Sequence, residues 1–199
     1  MIDKDTPYVS LTYTHTSPKS VPSFPLPEGY EFVFYREGDE KAWAEIEMDV
    51  GQFDTLEEGL TAFHREFSEH PRLDPRDRML FVKAPDGAYV ATCTLWDGEF
   101  LGETRQRLHW LAITDAAAGK GIAKALFSRL IALYSELGYT DDFIYLLTAS
   151  RYYPAIRIYR KLGFTEYRGP RSLSKKLSDE EFVRQTEEGI RIVDQMLSK

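Results

Sequence analysis

Hydrophobic and polar positions follow two different spacings along this chain, and their order predicts a mixed α+β domain. Short runs with the alternation or the apolar character of strands occur at 29–35, 79–83, 88–96, 107–114 and 143–148. Apolar residues recur at helical spacing at 40–50, 54–69, 118–137, 154–162 and 178–197. Because strands and helices mix along one chain, we expect a single sheet flanked by helices.

Polar motifs mark the predicted ends of several elements. Asp54 with Glu57, and Ser178 with Glu181, have the spacing of capping boxes at the start of helices. Asp-Gly at 97–98 predicts a turn between two strands, since glycine tolerates positive φ.

The two ends of the chain differ from its middle. Residues 1–28 are rich in proline, which lacks an amide donor, so we expect an arm lying over the domain, with an edge strand at 9–13. The main domain is predicted at 29–177, and a strand at 171–177 is predicted to close its sheet. Residues 178–199 are predicted to form a C-terminal helix that packs on the domain or extends it.

Composition and charge narrow the class of protein. The 199 residues carry a net charge of −7 and are 43% hydrophobic, which is typical of a soluble domain and argues against a nucleic-acid-binding surface. No apolar run approaches the roughly 20 residues of a transmembrane helix. The charged N-terminus lacks the apolar segment of a secretory signal. We therefore expect a cytoplasmic protein without nucleic-acid or membrane partners.

Cys93 is the single cysteine, so no disulfide can form within the chain, which suits a reducing compartment. It lies in the apolar run 89–96. A small residue inside a strand is the favoured interpretation, and a nucleophilic thiol is the alternative.

A glycine-containing turn leads from a predicted strand into a long amphipathic helix. Gly119 and Gly121 lack Cβ atoms, so a ligand can come close to the main chain. The first amides of the helix have no partner within it and lie at the positive end of its dipole, which favours an anion such as a pyrophosphate. The spacing matches neither the Rossmann nor the Walker motif, and by itself a plain tight turn explains it equally well.

A second motif further along the chain gives this turn its context. The run at 155–164, Ala-Ile-Arg-Ile-Tyr-Arg-Lys-Leu-Gly-Phe, is a predicted short helix ended by a glycine cap. Residues 118–123 match the pattern Q/R-x-x-G-x-G/A at Gly121 and Ala123. Together the two segments resemble the signature of the GNAT superfamily of acetyl-CoA-dependent acyltransferases. The resemblance covers 108–164 most closely.

The resemblance implies a fold and an activity. The fold is the GNAT type, a central, mostly antiparallel, twisted sheet flanked by helices. The activity is direct transfer of an acetyl group from acetyl-CoA, the co-substrate, to an amine of a small molecule. Ala118 stands where Gln or Arg is usual, and Tyr152 where an Asn often contacts the cofactor. These departures keep open a CoA-binding regulatory or vestigial module without turnover, and a protein N-acetyltransferase is a further alternative.

The resemblance also implies roles for single residues. Tyr159 corresponds to the general acid that protonates the leaving thiolate, with a packing tyrosine as the alternative. His109 corresponds to a histidine that helps to remove the amine proton, with a structural histidine as the alternative. It lies one strand period before Leu111, so both are expected on one face. No metal is implied, and the expected cofactor contacts are Leu111, Ala112, Ile113, Ala118, Gly119, Lys120, Gly121, Ile122, Ala123, Lys124 and Tyr152.

In this fold the acceptor lies against the first two helices, here at about 49–70. Four carboxylates there suit a cationic amine, although a solvated acidic face explains them as well: Asp49, Asp54, Glu57 and Glu58. Four aromatic residues are candidates for a wall of the site or for core packing: Trp96, Trp110, Tyr152 and Tyr153. The C-terminal helix is a candidate for contacts in a homodimer.

Overall fold

The computed structural model describes residues 3–68, 70, 73–139, 143–170 and 177–199. The strands within them are β1 (Ser10–His15), β2 (Glu31–Phe34), β3 (Met79–Lys83), β4 (Tyr89–Phe100), β5 (Glu103–Ile113), β6 (Ile144–Ala149) and β7 (Thr165–Glu166). The α-helices are α1 (Glu40–Asp49), α2 (Leu56–Phe63), α3 (Pro75–Arg78), α4 (Ile122–Glu136), α5 (Tyr153–Lys161) and α6 (Asp179–Leu197), and a π-helical turn, His64–Ser68, continues α2.

The strands are hydrogen-bonded in the order β2-β3-β4-β5-β6-β1-β7. β2 with β3, β3 with β4, and β1 with both β6 and β7 are antiparallel, whereas β5 and β6 are parallel. The predicted α+β class with a mostly antiparallel sheet is therefore confirmed. By its contacts the chain divides into two compact units, the first at Pro22–Trp96 and Leu108–Thr140, the second at Ile2–Val21, Asp97–Arg107 and Asp141–Lys199. The domain boundaries at 28 and 177 stay predictions.

In the first unit, an aromatic cluster packs around α1, α2 and one face of β3. Its aromatic members are Tyr35, Trp43, Phe63, Phe67, Phe81 and Trp96. Trp43 of α1 packs edge-on against Phe63 and Phe67, with ring centroids 5.4 and 5.7 Å apart. Rings in this geometry attract through their quadrupoles in addition to the burial of their surface. Tertiary packing of this cluster, more than helix propensity, therefore holds the two short helices.

The helix α1 also buries a carboxyl group. Glu47 lies one turn after Trp43 and is 3% exposed. Its Oε1 atom has no hydrogen-bond partner within the described part of the chain. Burial raises the pKa of Glu47 to about 8, because the charged form loses its hydration. The side chain is therefore largely protonated at neutral pH.

In the second unit, β1 lies between β6 and β7. Tyr13 is paired with Leu146 of β6 on one side and with Glu166 of β7 on the other. The predicted strand at 9–13 is present as β1, but its predicted position at the edge of the sheet was wrong. The alternation of apolar residues with threonines suggested one solvated face, but the threonines of β1 are buried too, so both faces of the strand are covered.

The C-terminal helix packs on its own unit. α6 contacts β1 and α5, and an ideal Cβ at Gly189 would lie 2.8 Å from Leu11 Cδ2 and 3.0 Å from Val9 Cγ1. The predicted capping box is confirmed, since Ser178 Oγ accepts from the Glu181 amide at 3.2 Å. In the described part of the chain, no helix combines the length and the apolar character needed to cross a membrane. The homodimer contact stays a prediction.

An ionic network connects four elements of the second unit. Arg160 of α5 bonds Glu166 of β7 at 2.7 Å and Asp194 of α6 at 2.6 Å. The Tyr13 hydroxyl of β1 donates to the same Glu166 carboxylate at 3.1 Å. The guanidinium of Arg160 has several N–H donors, so it can bind two carboxylates at once. It therefore links the N-terminal strand and the C-terminal helix to the motif helix α5.

Two local predictions were wrong in position. The capping box of α2 is formed by Thr55 and Glu58, one residue later than the predicted pair Asp54 and Glu57. Asp97-Gly98 lies inside β4, which continues to Phe100. Gly98 is needed for close packing instead of a turn, because a Cβ there would lie 2.0 Å from the Tyr145 hydroxyl oxygen. The predicted helix end at Glu69 lies outside the described residues, as do residues 171–176 of the strand predicted at 171–177.

Replacing Gly189 tests the contact between α6 and β1. We expect Gly189→Leu to lower the free energy of unfolding by roughly 1–3 kcal/mol, because the new side chain must displace Leu11 and Val9. Urea unfolding measures the change. Glu188→Leu, on the exposed side of the same helix turn, is the control. Equal stability of Gly189→Leu and the wild type would contradict the observed close approach.

Glu47 predicts how stability depends on pH. Its folded pKa of about 8 exceeds the reference value of 4.5, so the folded state holds a proton that the unfolded state releases. Below pH 4.5 the Glu47 carboxyl is protonated in both states and its contribution to the free energy of unfolding is fully present. As pH rises from 4.5 toward 8, that free energy declines by up to about 1.4 kcal/mol per pH unit. Glu47→Gln is expected to flatten that decline in urea titrations between pH 5 and 8. If stability declines with pH as steeply in Glu47→Gln as in the wild type, the raised pKa of Glu47 is contradicted.

Candidate functional site

The turn before α4 has the form of an anion site. Gly119 and Gly121 both adopt positive φ, 76° and 85°, and Gly121 is the N-cap of the helix. No side chain caps this helix within the described residues. An ideal Cβ at either glycine would meet no atom within 4 Å, so the space above the turn is open. The first-turn amides can therefore donate hydrogen bonds to a pyrophosphate, and the residues present fit CoA.

The side chains next to the turn divide into two groups. Ile122 and Ala123 are buried, so only their backbone amides can serve a ligand. The ammonium groups of Lys120 and Lys124 lie 5.8 and 5.6 Å from the ring centroids of Tyr30 and Phe24, and Lys120 Nζ also donates to the Tyr30 hydroxyl at 3.1 Å. Ala118 is extended and exposed. The turn thus presents main-chain donors flanked by two lysines.

A carboxylate at the end of α1 supports the chain that leads into the turn. Asp49 Oδ2 accepts from the Asp115 amide at 2.9 Å. Glu58 likewise has a structural role, since it closes the capping box of α2. Two of the four acidic residues predicted to attract the acceptor therefore have local partners. For these two, a structural role explains the carboxylate without a ligand.

A strained residue in β5, the strand before the turn, changes the direction in which its side chains point. Trp110, in the middle of β5, has φ of 54°, a conformation that costs a bulky residue about 1–3 kcal/mol. His109 packs edge-on against Trp96 at 5.1 Å, and Trp110 packs edge-on against Trp43 at 5.0 Å, so consecutive side chains reach the same aromatic cluster. Positive φ at one residue of a strand brings two consecutive side chains to one side, as in a β-bulge.

The positive φ of Trp110 overturns the expectation that His109 and Leu111 lie on one face. Ala112 belongs to the same buried cluster as Trp43, and Trp110 packs against that cluster. Regular alternation from Trp110 onward then places Leu111 and Ile113 on the opposite face of the strand. His109 and Leu111 therefore do not share a face, because a single non-extended residue separates them.

His109 has a carboxylate close to it. Its Nε2 atom lies 3.9 Å from Glu66 Oε2, and each side chain is 22% exposed. Glu66 also bonds Arg65 at 3.1 Å. The neighbouring His109, and to a lesser degree Arg65, lower the pKa of Glu66 to about 2 although burial opposes this. The pair is thus an imidazole facing a carboxylate that stays ionised at any physiological pH.

Cys93 is a structural residue of β4. It is fully buried, and burial raises the pKa of its thiol far above the usual range. Its Sγ donates to the carbonyl oxygen of His109 at 3.5 Å. A thiolate is therefore strongly disfavoured, which supports the interpretation as a small residue inside a strand.

The second unit holds the other two predicted residues. Tyr159 of α5 is 7% exposed, with its ring 6.3 Å from Tyr13 and 6.4 Å from Phe164. Tyr152 is half-buried and is the N-cap residue of the same helix. Each predicted residue of the strand and the glycine turn belongs to the first unit instead, as does His109.

A histidine of β1 fixes the end of the motif helix. Gly163 has φ of 89°, and a Cβ there would lie 2.8 Å from His15 Nε2. That nitrogen lies 3.1 Å from the Leu162 carbonyl oxygen, while Nδ1 accepts from the Ser17 amide at 3.1 Å. These bonds require the neutral ring with its proton on Nε2, and burial lowers the pKa of His15 in the same sense. Glycine is therefore required in this motif for both conformation and space.

A family model described as the acetyltransferase (GNAT) family matches residues 31–164. The chain belongs to the GNAT family. The match contains the glycine turn, β5 and the motif helix α5. The predicted superfamily is therefore confirmed. No curated protein matches the chain.

Solved structures of other GNAT proteins share the fold. A GCN5-related N-acetyltransferase from Sphaerobacter thermophilus is 24% identical, with a TM-score of 0.59 over 80% of this chain and 49% of that one. A GNAT acetyltransferase from Colwellia psychrerythraea is 14% identical, with a TM-score of 0.60 over 80% and 53%. One from Kribbella flavida is 13% identical, with a TM-score of 0.51 over 80% and 55%. The chain thus spans about half the length of each.

Two features of this GNAT site escaped sequence analysis. Glu66 is distant in sequence from His109, and the π-helical turn that carries it has no sequence signature. The positive φ of Trp110 also gave no signal, because tryptophan is not a residue that favours this conformation. Both features depend on contacts between segments that are far apart along the chain.

Proposed function

We propose that this protein transfers an acetyl group from acetyl-CoA to the amino group of a small molecule in the cytoplasm. The observation that carries the proposal is the open turn at Gly119 and Gly121, which presents the uncapped start of α4 in a chain of the GNAT family. Such a turn suits the pyrophosphate of CoA. The coarser conclusion, membership of an acetyltransferase family, does not depend on this proposal.

Acetyl-CoA supplies the acyl group as a thioester, so that a C–N bond forms, the C–S bond breaks, and CoA departs as a thiol. The amides at 119–123 hold the pyrophosphate, and the main chain of Leu111 and Ile113 is assigned the pantetheine arm by resemblance. His109 takes the proton that the amine loses. Tyr159 donates the proton that the sulfur gains. One proton therefore enters the protein at His109 and one leaves at Tyr159 in each turnover.

Two observations favour a working enzyme with a small acceptor. Trp110 holds a strained backbone conformation that costs about 1–3 kcal/mol, and such strain is common at active sites. His109 and Glu66 are each only 22% exposed. A recessed base of this kind is more accessible to a small amine than to a folded protein surface.

Acetyl-CoA binding tests the turn. We expect micromolar binding by the wild type in calorimetry, and at least tenfold weaker binding by Gly121→Glu, which puts negative charge against the phosphates, a loss of about 1.4 kcal/mol or more. Gly138→Glu is a matched control, because Gly138 also has positive φ, 81°, and open space, but lies beyond the opposite end of α4. It should bind like the wild type. If the wild type does not bind acetyl-CoA, the protein is a vestigial domain and not an enzyme.

Tyr159→Phe tests the general acid. The change keeps the buried ring and removes one hydroxyl, so we expect kcat to fall by roughly a hundredfold while acetyl-CoA affinity is kept. The assay follows CoA thiol release with the best acceptor from a panel of small primary amines. Tyr13→Phe alters the neighbouring ring and is the control, with an expected effect on stability only. Equal kcat for Tyr159→Phe and the wild type would assign this tyrosine to packing.

A further inference from the structure

We propose that Glu66 is a positioning residue that holds the His109 imidazole through its Nε2 atom and thereby makes His109 the proton acceptor of the site. The role of His109 as the base rests on the proposed function, but the contact between the two side chains does not. No sequence motif of the family pattern noted above contains Glu66. The inference rests on three features of the first unit: the π-helical turn, the ionised carboxylate and the aromatic contacts of the imidazole.

The π-helical turn aims Glu66 and Phe67 at different partners. Phe67 is 2% exposed and packs against Trp96 with ring centroids 5.4 Å apart. Glu66, its neighbour, lies 3.9 Å from His109 Nε2. A wider helical turn of this type is uncommon and occurs often at functional sites. Anchoring by Phe67 fixes the backbone that carries the carboxylate.

The His109 imidazole faces an ionised carboxylate. Glu66 stays ionised because its pKa is lowered to about 2, first by His109 itself and then by Arg65. Further titratable groups lie near the pair. Arg65 bonds Glu66 at 3.1 Å, His70 packs against Trp96 at 4.6 Å, and the neutral Cys93 donates to the His109 carbonyl. Glu66 is thus an anion that faces the imidazole.

A carboxylate at Nε2 also selects a tautomer. It favours the neutral ring that carries its proton on Nε2, which leaves Nδ1 as the basic nitrogen. The ring is further held by edge contacts with Trp96 at 5.1 Å and by Trp110 at 4.9 Å. In many catalytic sites such contacts lengthen without substrate and tighten in the complex. The 3.9 Å separation is consistent with that behaviour.

NMR titration of the four histidines tests the contact without any ligand. His109→Gln identifies the resonance of His109. We expect Glu66→Gln to lower the pKa of the His109 imidazole, because the carboxylate that stabilises the cation is gone. Glu57→Gln is the matched control, since Glu57 is exposed at the start of α2, and it should leave the titration unchanged.

Kinetics test the consequence. With the best small primary amine, kcat/KM of Glu66→Gln should fall at least about tenfold, with acetyl-CoA affinity kept and the acidic limb of the pH profile moved to lower pH. An unchanged His109 titration in Glu66→Gln would overturn the proposal, as would an unmoved pH profile. If the titration shifts but the wild type transfers no acetyl group to any amine, the contact is supported and the proposed function alone fails.

Discussion

The positive φ of Trp110 is the constraint on which the rest of the site depends. A regular strand would place His109 and Trp110 on opposite faces of the sheet. With positive φ at Trp110, His109 contacts Trp96 and Glu66 while Trp110 contacts Trp43. Packing of the partly buried indole against the aromatic cluster offsets this cost of about 1–3 kcal/mol. One backbone torsion therefore makes an imidazole available beside a carboxylate and keeps the core filled.

The aromatic cluster connects this strand to the helices. Trp43 contacts Phe63, Phe67 and Trp110, so α1, the π-helical turn and β5 share a single side chain. A displacement of Trp43 would move Glu66 relative to His109. The same helix α1 supplies Asp49, which bonds the amide of Asp115 at the beginning of the glycine turn. The helix α1 thus contacts both the strand that carries the imidazole and the segment that leads into the anion site.

The second unit uses a different device to hold its motif helix. β1 inserts between β6 and β7, and its His15 contacts the Leu162 carbonyl at the end of α5. Because a Cβ at Gly163 would collide with that imidazole, the glycine of the family motif meets a local requirement of space as well as a positive φ. The N-terminal segment is therefore an integral part of the structure around Tyr159, which lies on the same helix.

The sequence by itself determined the class of the fold, most element positions, the glycine turn and the family. These are local properties: hydrophobic spacing, helix caps and short motifs are set by residues close together in the chain. Only the tertiary structure decided the place of β1, the facing of His109 and its pairing with Glu66. Those depend on long-range packing, since buried threonines in β1 and a strained tryptophan in β5 are stable only against partners that the local sequence does not contain.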